Sequence, residues 1–243
     1  MIYALIVLLG SFAGFISAIV GTGGSIILLP VLSWKFGPQV AVPVMAIASI
    51  MSNLSRVIIW RKKINWRACA AYSALAIPGA VMGANLLWHM PEKLSDICIG
   101  LFFLLLVPAM AEARRRKLTL STMQLALCGL ITGFLTGVVF STGPLTVPIF
   151  AGYGLVKEAL IATESAASLV VFLTKTSTFG AVGALPGFVI ATGFLVGASM
   201  ISGIYISKHL IARMPERYFN GAVSLMLFVA GVSMLVTGIT RAG

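Results

Sequence analysis

Long apolar segments separated by short polar connections are the dominant pattern of this chain. The eight segments lie at residues 2–20 continuing as 24–34, 40–60, 67–88, 94–112, 121–141 continuing as 144–152, 156–183, 186–207 and 217–240. Most reach the roughly 20 residues that an α-helix needs to cross a bilayer. Because lipid offers the backbone no hydrogen-bonding partners, each segment is predicted to be helical. The expected fold class is therefore an all-α, polytopic membrane protein.

Composition and charge placement support this assignment. Of the 243 residues, 59% are hydrophobic and 9% are charged, whereas about 25% are charged in an ordinary soluble domain. The formal net charge is +11, but the basic residues cluster between the apolar segments, at 61–67, 114–117 and 208–217. Such clusters are typical of cytoplasmic loops in membrane proteins. Membrane lipid, and not nucleic acid, is therefore the expected partner of these charges.

The chain contains an internal duplication. It relates GSFAGFISAIVGTGG at 10–24 to GLITGFLTGVVFSTG at 129–143, with a constant offset of 119 residues. We therefore predict two membrane repeats, residues 1–113 and 118–243, joined by a basic cytoplasmic linker at 114–117.

Two topologies fit the eight segments. If every segment crosses the membrane, ten basic residues face the cytoplasm and six face outward. If the first and fifth segments instead enter the membrane and return, the repeats are inverted, with thirteen basic residues inside and only Lys35, Lys93 and Arg241 outside. The positive-inside rule favours inverted repeats. Against this, the arm 2–20 is long enough to cross completely as a helix.

Both copies of the duplicated segment are interrupted at matching positions, by GTGGS at 21–25 and by STGP at 141–144. Glycine frees the backbone from the helix, and Pro144 suits the first turn of a new one. Short helices are therefore predicted at 25–34 and 144–152. Such paired interruptions indicate a transporter's binding site, since a helix start presents unpaired N–H groups to a small anion. The predicted binding residues are Thr22, Gly23, Gly24, Ser25, Ser141, Thr142, Gly143, Pro144, Thr146 and Asn53.

Close helix packing is the alternative role for small residues. It is the role predicted for two pairs spaced by four residues, Gly10 with Gly14 and Gly129 with Gly133. In the interruptions the small residues are consecutive and a proline is near, so ligand binding is favoured there.

Three charged side chains lie within the apolar segments. Glu164 and Lys175 are eleven residues apart in one segment, which places them on one helix face and roughly 16 Å apart along its axis. Charges inside a membrane are functional candidates by default. Glu164 is a candidate carrier of a coupling proton, and Lys175 and Arg56 are candidates to attract the anion. The alternatives are snorkelling to a membrane surface for the two basic residues and a structural role for Glu164.

The chain resembles the TauE/SafE sulfite exporter family in GFISAIVGTGGSIILLPVL, in its second copy GFLTGVVFSTGPLTVPIFAGYG and in the basic RKKINW after the next segment. The resemblance extends from about residue 5 to residue 240. It implies a bacterial inner-membrane transporter of two repeated modules that carries sulfite, sulfoacetate, another organosulfonate or a related small anion. Two departures affect the predicted site. Residues 141–144 stand where the family often has a glycine-richer run, and Ser25 stands where a further glycine is common.

The sequence thus predicts a secondary transporter of a small, sulfur-containing anion that works by alternating access, with protons as a candidate coupling ion. An anion channel built on the same broken helices is the alternative. An enzyme is disfavoured because the segments hold no mid-span histidine and no nucleophile with its base. No catalytic residue, metal site or cofactor is predicted, since the three cysteines are isolated.

Overall fold

The computed structural model describes residues 23–115, 119–139, 142–211 and 216–240. In these ranges the chain forms nine α-helices: α1 (Gly23–Phe36), α2 (Pro38–Trp60), α3 (Trp66–His89), α4 (Glu92–Arg115), α5 (Thr122–Val139), α6 (Gly143–Gly152), α7 (Lys157–Ala181), α8 (Gly187–Ile211) and α9 (Glu216–Thr240). A 3-10 turn, Arg61–Lys63, follows α2.

The prediction of an all-α membrane protein is confirmed. Within the described ranges, α2, α3, α4, α5 and α7 are long and apolar enough to cross a bilayer. The predicted segments match the observed helices to within a few residues, including the two short helices. The predicted arm at 2–20 lies outside the described residues.

The fifth segment folds as a hairpin. Helix α5 ends at Val139, and α6 begins at Gly143. At the base of the hairpin, the backbone N–H of Leu120 donates to the carbonyl oxygen of Gly152 over 2.9 Å. The start of α5 and the end of α6 therefore lie on the same side of the protein.

Helices α3 and α5 pack through small residues. A Cβ atom placed on Gly137 would lie 2.7 Å from the backbone nitrogen of Ala84, and one placed on Gly133 would lie 2.8 Å from the Cα of Ala76. Such distances are shorter than any normal carbon contact, so only glycine allows the two backbones to approach this closely. The packing role predicted for Gly133 is therefore confirmed. The same holds for Gly129, whose Cβ would collide with the carbonyl oxygen of Tyr72.

Helix α7 packs against α2, α3 and α6, while α4 pairs with α9 and α2 with α8. The turns at both ends of α7 contain a glycine in the left-handed conformation, Gly154 with φ +98° and Gly183 with φ +75°. Side chains such as Leu105 and Ile131 remain more than half exposed. In a membrane protein these outward-facing apolar side chains are covered by lipid.

Gly133→Ala is expected to lower the midpoint of thermal unfolding in detergent by several degrees, because overpacking a close helix contact costs about 1–3 kcal/mol. Gly187→Ala is the matched control, since a Cβ at Gly187 meets no atom within 4 Å. Equal midpoints for the two variants would show that the α3–α5 contact is looser than described.

Candidate functional site

Buried polar side chains gather where α5 ends and α6 begins, against α7. We call this group the hairpin site. No member is more than 4% exposed. It consists of Thr136 on α5, Thr142 in the interruption, Thr146 on α6, and Glu164 and Lys175 on α7.

Glu164 faces the first turn of α6. Its Oε1 accepts hydrogen bonds from the hydroxyl of Thr146 at 3.0 Å and from the hydroxyl of Ser168 at 2.8 Å. The Thr146 hydroxyl also lies 3.0 Å from the carbonyl oxygen of Gly143. The start of a helix carries the positive end of its dipole, which favours a negative group at this place.

Lys175 faces the last turn of α5. Its ammonium donates a hydrogen bond to the carbonyl oxygen of Thr136, and it lies 5.7 Å from the ring centre of Phe179. The last carbonyl groups of a helix have no partner within the helix and carry the negative end of its dipole. Lys175 therefore caps α5, and its complete burial excludes snorkelling to a membrane surface.

The two charges of α7 thus complement the two ends of the interrupted helix. The carboxylate of Glu164 lies near the positive start of α6, and the ammonium of Lys175 lies at the negative end of α5. Backbone groups freed by an interruption inside a membrane must find partners within the protein. The N–H groups of Leu145 and Thr146 find theirs in the carbonyl oxygen of Thr142. The hydroxyl groups and the ammonium of the hairpin site are groups that can bind a small anion.

A chain of hydroxyl groups extends the site towards α3. The hydroxyl oxygens of Thr142 and Thr136 lie 2.7 Å apart. The Thr136 hydroxyl donates to the carbonyl oxygen of Thr132 at 2.7 Å, and the Thr132 hydroxyl lies 2.6 Å from that of Tyr72. Thr132, Thr136 and Tyr72 were not predicted from the sequence. The available signal was the spacing of the two threonines, which lie four residues apart on the glycine-bearing face of α5.

Helix α2 contributes a further cation. The half-buried guanidinium of Arg56 donates to the hydroxyl of Ser52 at 3.1 Å and interacts electrostatically with Glu164. Asn53 is buried, but its amide donates to the carbonyl oxygen of Ser49 in its own helix at 2.9 Å. Within the described contacts, α2 therefore reaches the hairpin site through Arg56 and not through Asn53.

The remaining predicted binding residues belong to the two interruptions. Gly143 and Pro144 are buried at the start of α6, with Pro144 in its first turn as predicted. The residues Gly23, Gly24 and Ser25 form the first turn of α1. Outside the described residues lie Thr22 and Ser141.

Comparison with known proteins gives a consistent result. A family model described as "Sulfite exporter TauE/SafE" matches residues 6–234. The "Probable membrane transporter protein YfcA" of Escherichia coli (strain K12) is 26% identical over 213 residues, which cover 81% of this chain and 78% of that protein. The "Probable membrane transporter protein y4hK" of Sinorhizobium fredii is 25% identical over 194 residues, which cover 71% and 72% of the two chains. No solved structure matches.

These matches confirm the predicted family. They also confirm the prediction that the protein is a membrane transporter and not an enzyme. The family model spans nearly the whole chain, from before the first interruption to within α9. The chain therefore belongs to the TauE/SafE sulfite exporter family.

Proposed function

We propose that this protein is a secondary transporter that carries a small, sulfur-containing anion across the bacterial inner membrane by way of the hairpin site. The observation that carries the proposal is the interrupted helix α5–α6, whose freed ends meet buried hydroxyl groups and the buried ammonium of Lys175. The description of the family as sulfite exporters supports the choice of substrate class. We propose sulfite, sulfoacetate or a related sulfonate as the substrate and protons as the coupling ion.

The chemistry of the site suits a sulfite or sulfonate group. Such a group presents three oxygens that accept hydrogen bonds, as a phosphate does when it binds at a helix start. The hydroxyl groups of Thr142 and Thr146 are donors of the required kind. Lys175 supplies a positive charge at a buried position, where an electrostatic interaction is stronger than at a surface.

We also infer that the repeats 1–113 and 118–243 are inverted relative to one another. The backbone N–H of Asn65 donates to the hydroxyl of Thr163 at 2.9 Å, so the end of α2 lies beside the start of α7. The two helices pack against each other and therefore run in opposite directions. Helix α2 also packs on α8, and α7 packs on α3. If α2 corresponds to α7 and α3 to α8, these two contacts are equivalent, because in each a helix of one repeat packs on the next helix of the other repeat. Inverted repeats of this kind support alternating access about a central site.

Transport is tested by reconstituting the full chain in liposomes with sulfite, sulfate, thiosulfate, methanesulfonate and sulfoacetate. We expect saturable uptake of at least one of these anions and its accumulation against a gradient when a proton gradient is imposed. Uptake that never exceeds equilibrium would instead support an anion channel. An absence of uptake for all five anions would refute the proposed substrate class.

Lys175→Gln is expected to lower the kcat/KM of anion uptake by at least about ten-fold, since a charged hydrogen-bonding group is lost from a buried site. Lys157→Gln is the matched control, because Lys157 is exposed at the start of the same helix. Size-exclusion chromatography checks that both variants are folded. Equal uptake by the Lys175→Gln and Lys157→Gln variants would show that Lys175 does not contribute to transport.

The inverted arrangement is tested with single cysteines at Lys35 and Lys157, in a chain whose three native cysteines have been replaced. Inverted repeats place these positions on opposite sides of the membrane, whereas eight complete crossings place both outside. We expect a membrane-impermeant maleimide to label them from opposite sides in oriented vesicles. Labelling of both from the same side would contradict the inverted arrangement.

A further inference from the structure

The two repeats differ at the position of Glu164. At the offset of 119 residues that relates the repeats, Lys175 of α7 corresponds to Arg56 of α2, so a basic residue is present in both. Glu164 corresponds to Met45, which is fully buried in the hydrophobic core. The framework of a repeat is thus built without an acid at this position.

The carboxylate of Glu164 occupies donors that an incoming oxyanion would need. Its Oε1 accepts from the hydroxyl of Thr146, beside the start of α6, and from the hydroxyl of Ser168. A hydroxyl has one hydrogen to donate, and that of Thr146 lies at the same distance, 3.0 Å, from Glu164 and from the carbonyl oxygen of Gly143. Thr146 therefore keeps an acceptor when the carboxylate moves away.

Arg56 is a cation that interacts with Glu164 from a neighbouring helix, whereas the ammonium of Lys175 donates to Thr136 at the end of α5. Arg56 on α2 and Tyr72 on α3 interact electrostatically with Glu164. Helix α6 has no titratable residue, and α5 has only Cys128, which interacts with Tyr72. An ionised carboxylate and a substrate anion beside Thr146 repel each other strongly because both positions are buried.

We propose that Glu164 is a tethered anion that takes the place of the substrate when the hairpin site is empty. Binding of a substrate anion at Thr146 and the neighbouring donors displaces the carboxylate, which then takes up one proton from the aqueous phase. Loss of the substrate reverses both changes. This inference rests on the proposed function and deepens it, since it joins the binding of one anion to the uptake of one proton by Glu164.

The test measures the binding of methanesulfonate to the purified full chain by isothermal titration calorimetry. This sulfonate stays ionised between about pH 5 and about pH 8, so any change in affinity with pH comes from the protein. We expect the affinity of the unmodified chain to weaken by at least about ten-fold as the pH rises through this range. Glu164→Gln is expected to bind at the high pH as tightly as the unmodified chain binds at the low pH, with no pH dependence.

Glu158→Gln is the matched control, since Glu158 is exposed in the first turn of the same helix. It is expected to keep the pH dependence of the unmodified chain. Glu164→Met, which introduces the residue of the first repeat, is a second variant with the same expected result should the glutamine variant fold poorly.

The outcomes separate this inference from the proposed function. If Glu164→Gln binds the anion no more tightly than the unmodified chain at high pH, the tethered anion is wrong, although transport by the unmodified chain still supports the proposed function. If the unmodified chain neither binds methanesulfonate nor carries any anion of the liposome panel, the proposed function itself is wrong.

Discussion

An interruption of a helix inside a membrane leaves backbone groups that lipid cannot pair, and the arrangement of the site follows from this constraint. Between Val139 and Gly143 the chain ends one helix and begins another. Part of this need is met by α7, whose ammonium of Lys175 caps the end of α5 and whose carboxylate of Glu164 accepts from the hydroxyl group of Thr146. At the start of α6, the N–H groups of Leu145 and Thr146 donate to the carbonyl oxygen of Thr142. The glycines of α5 serve the same constraint, because they allow a close backbone approach by α3 that excludes lipid.

The helices could be predicted from the sequence because the membrane leaves few alternatives. A long apolar segment must be helical in lipid, and the glycines and prolines of the chain mark where helices stop. The start of α6 at Gly143 followed from Pro144. The hairpin formed by α5 and α6 did not follow from periodicity, because hydrophobicity along the helix is the same whether the chain crosses or returns. The backbone contact between Leu120 and Gly152 brings the two ends of this segment together.

The charged residues of the site and the threonines near the interruption could be predicted from the sequence, whereas the hydroxyl groups further along α3 and α5 could not. Glu164 and Lys175 stood out because ionised side chains are rare in apolar segments. Tyr72 and Thr132 did not, since hydroxyl groups are common on such helices and their contact joins residues 60 positions apart. Asn53 stood out for its polarity, yet its amide is satisfied by Ser49 within one helical turn. A polar side chain four residues from a helical carbonyl can always bond locally, and the sequence alone does not distinguish this from a contact across the protein.

The position of both charges on α7 has a mechanical consequence. The helix is continuous from Lys157 to Ala181, so Glu164 and Lys175 are fixed to one stiff rod at a separation of roughly 16 Å. The turns at its two ends contain Gly154 and Gly183, around which a Cβ would meet no atom within 4 Å, whereas α3 and α5 interlock through their backbones. If α7 tilts as a rigid body relative to α3 and α5, the charges of Glu164 and Lys175 both move. A movement of Glu164 at the start of α6 is therefore coupled to a movement of Lys175 at the end of α5.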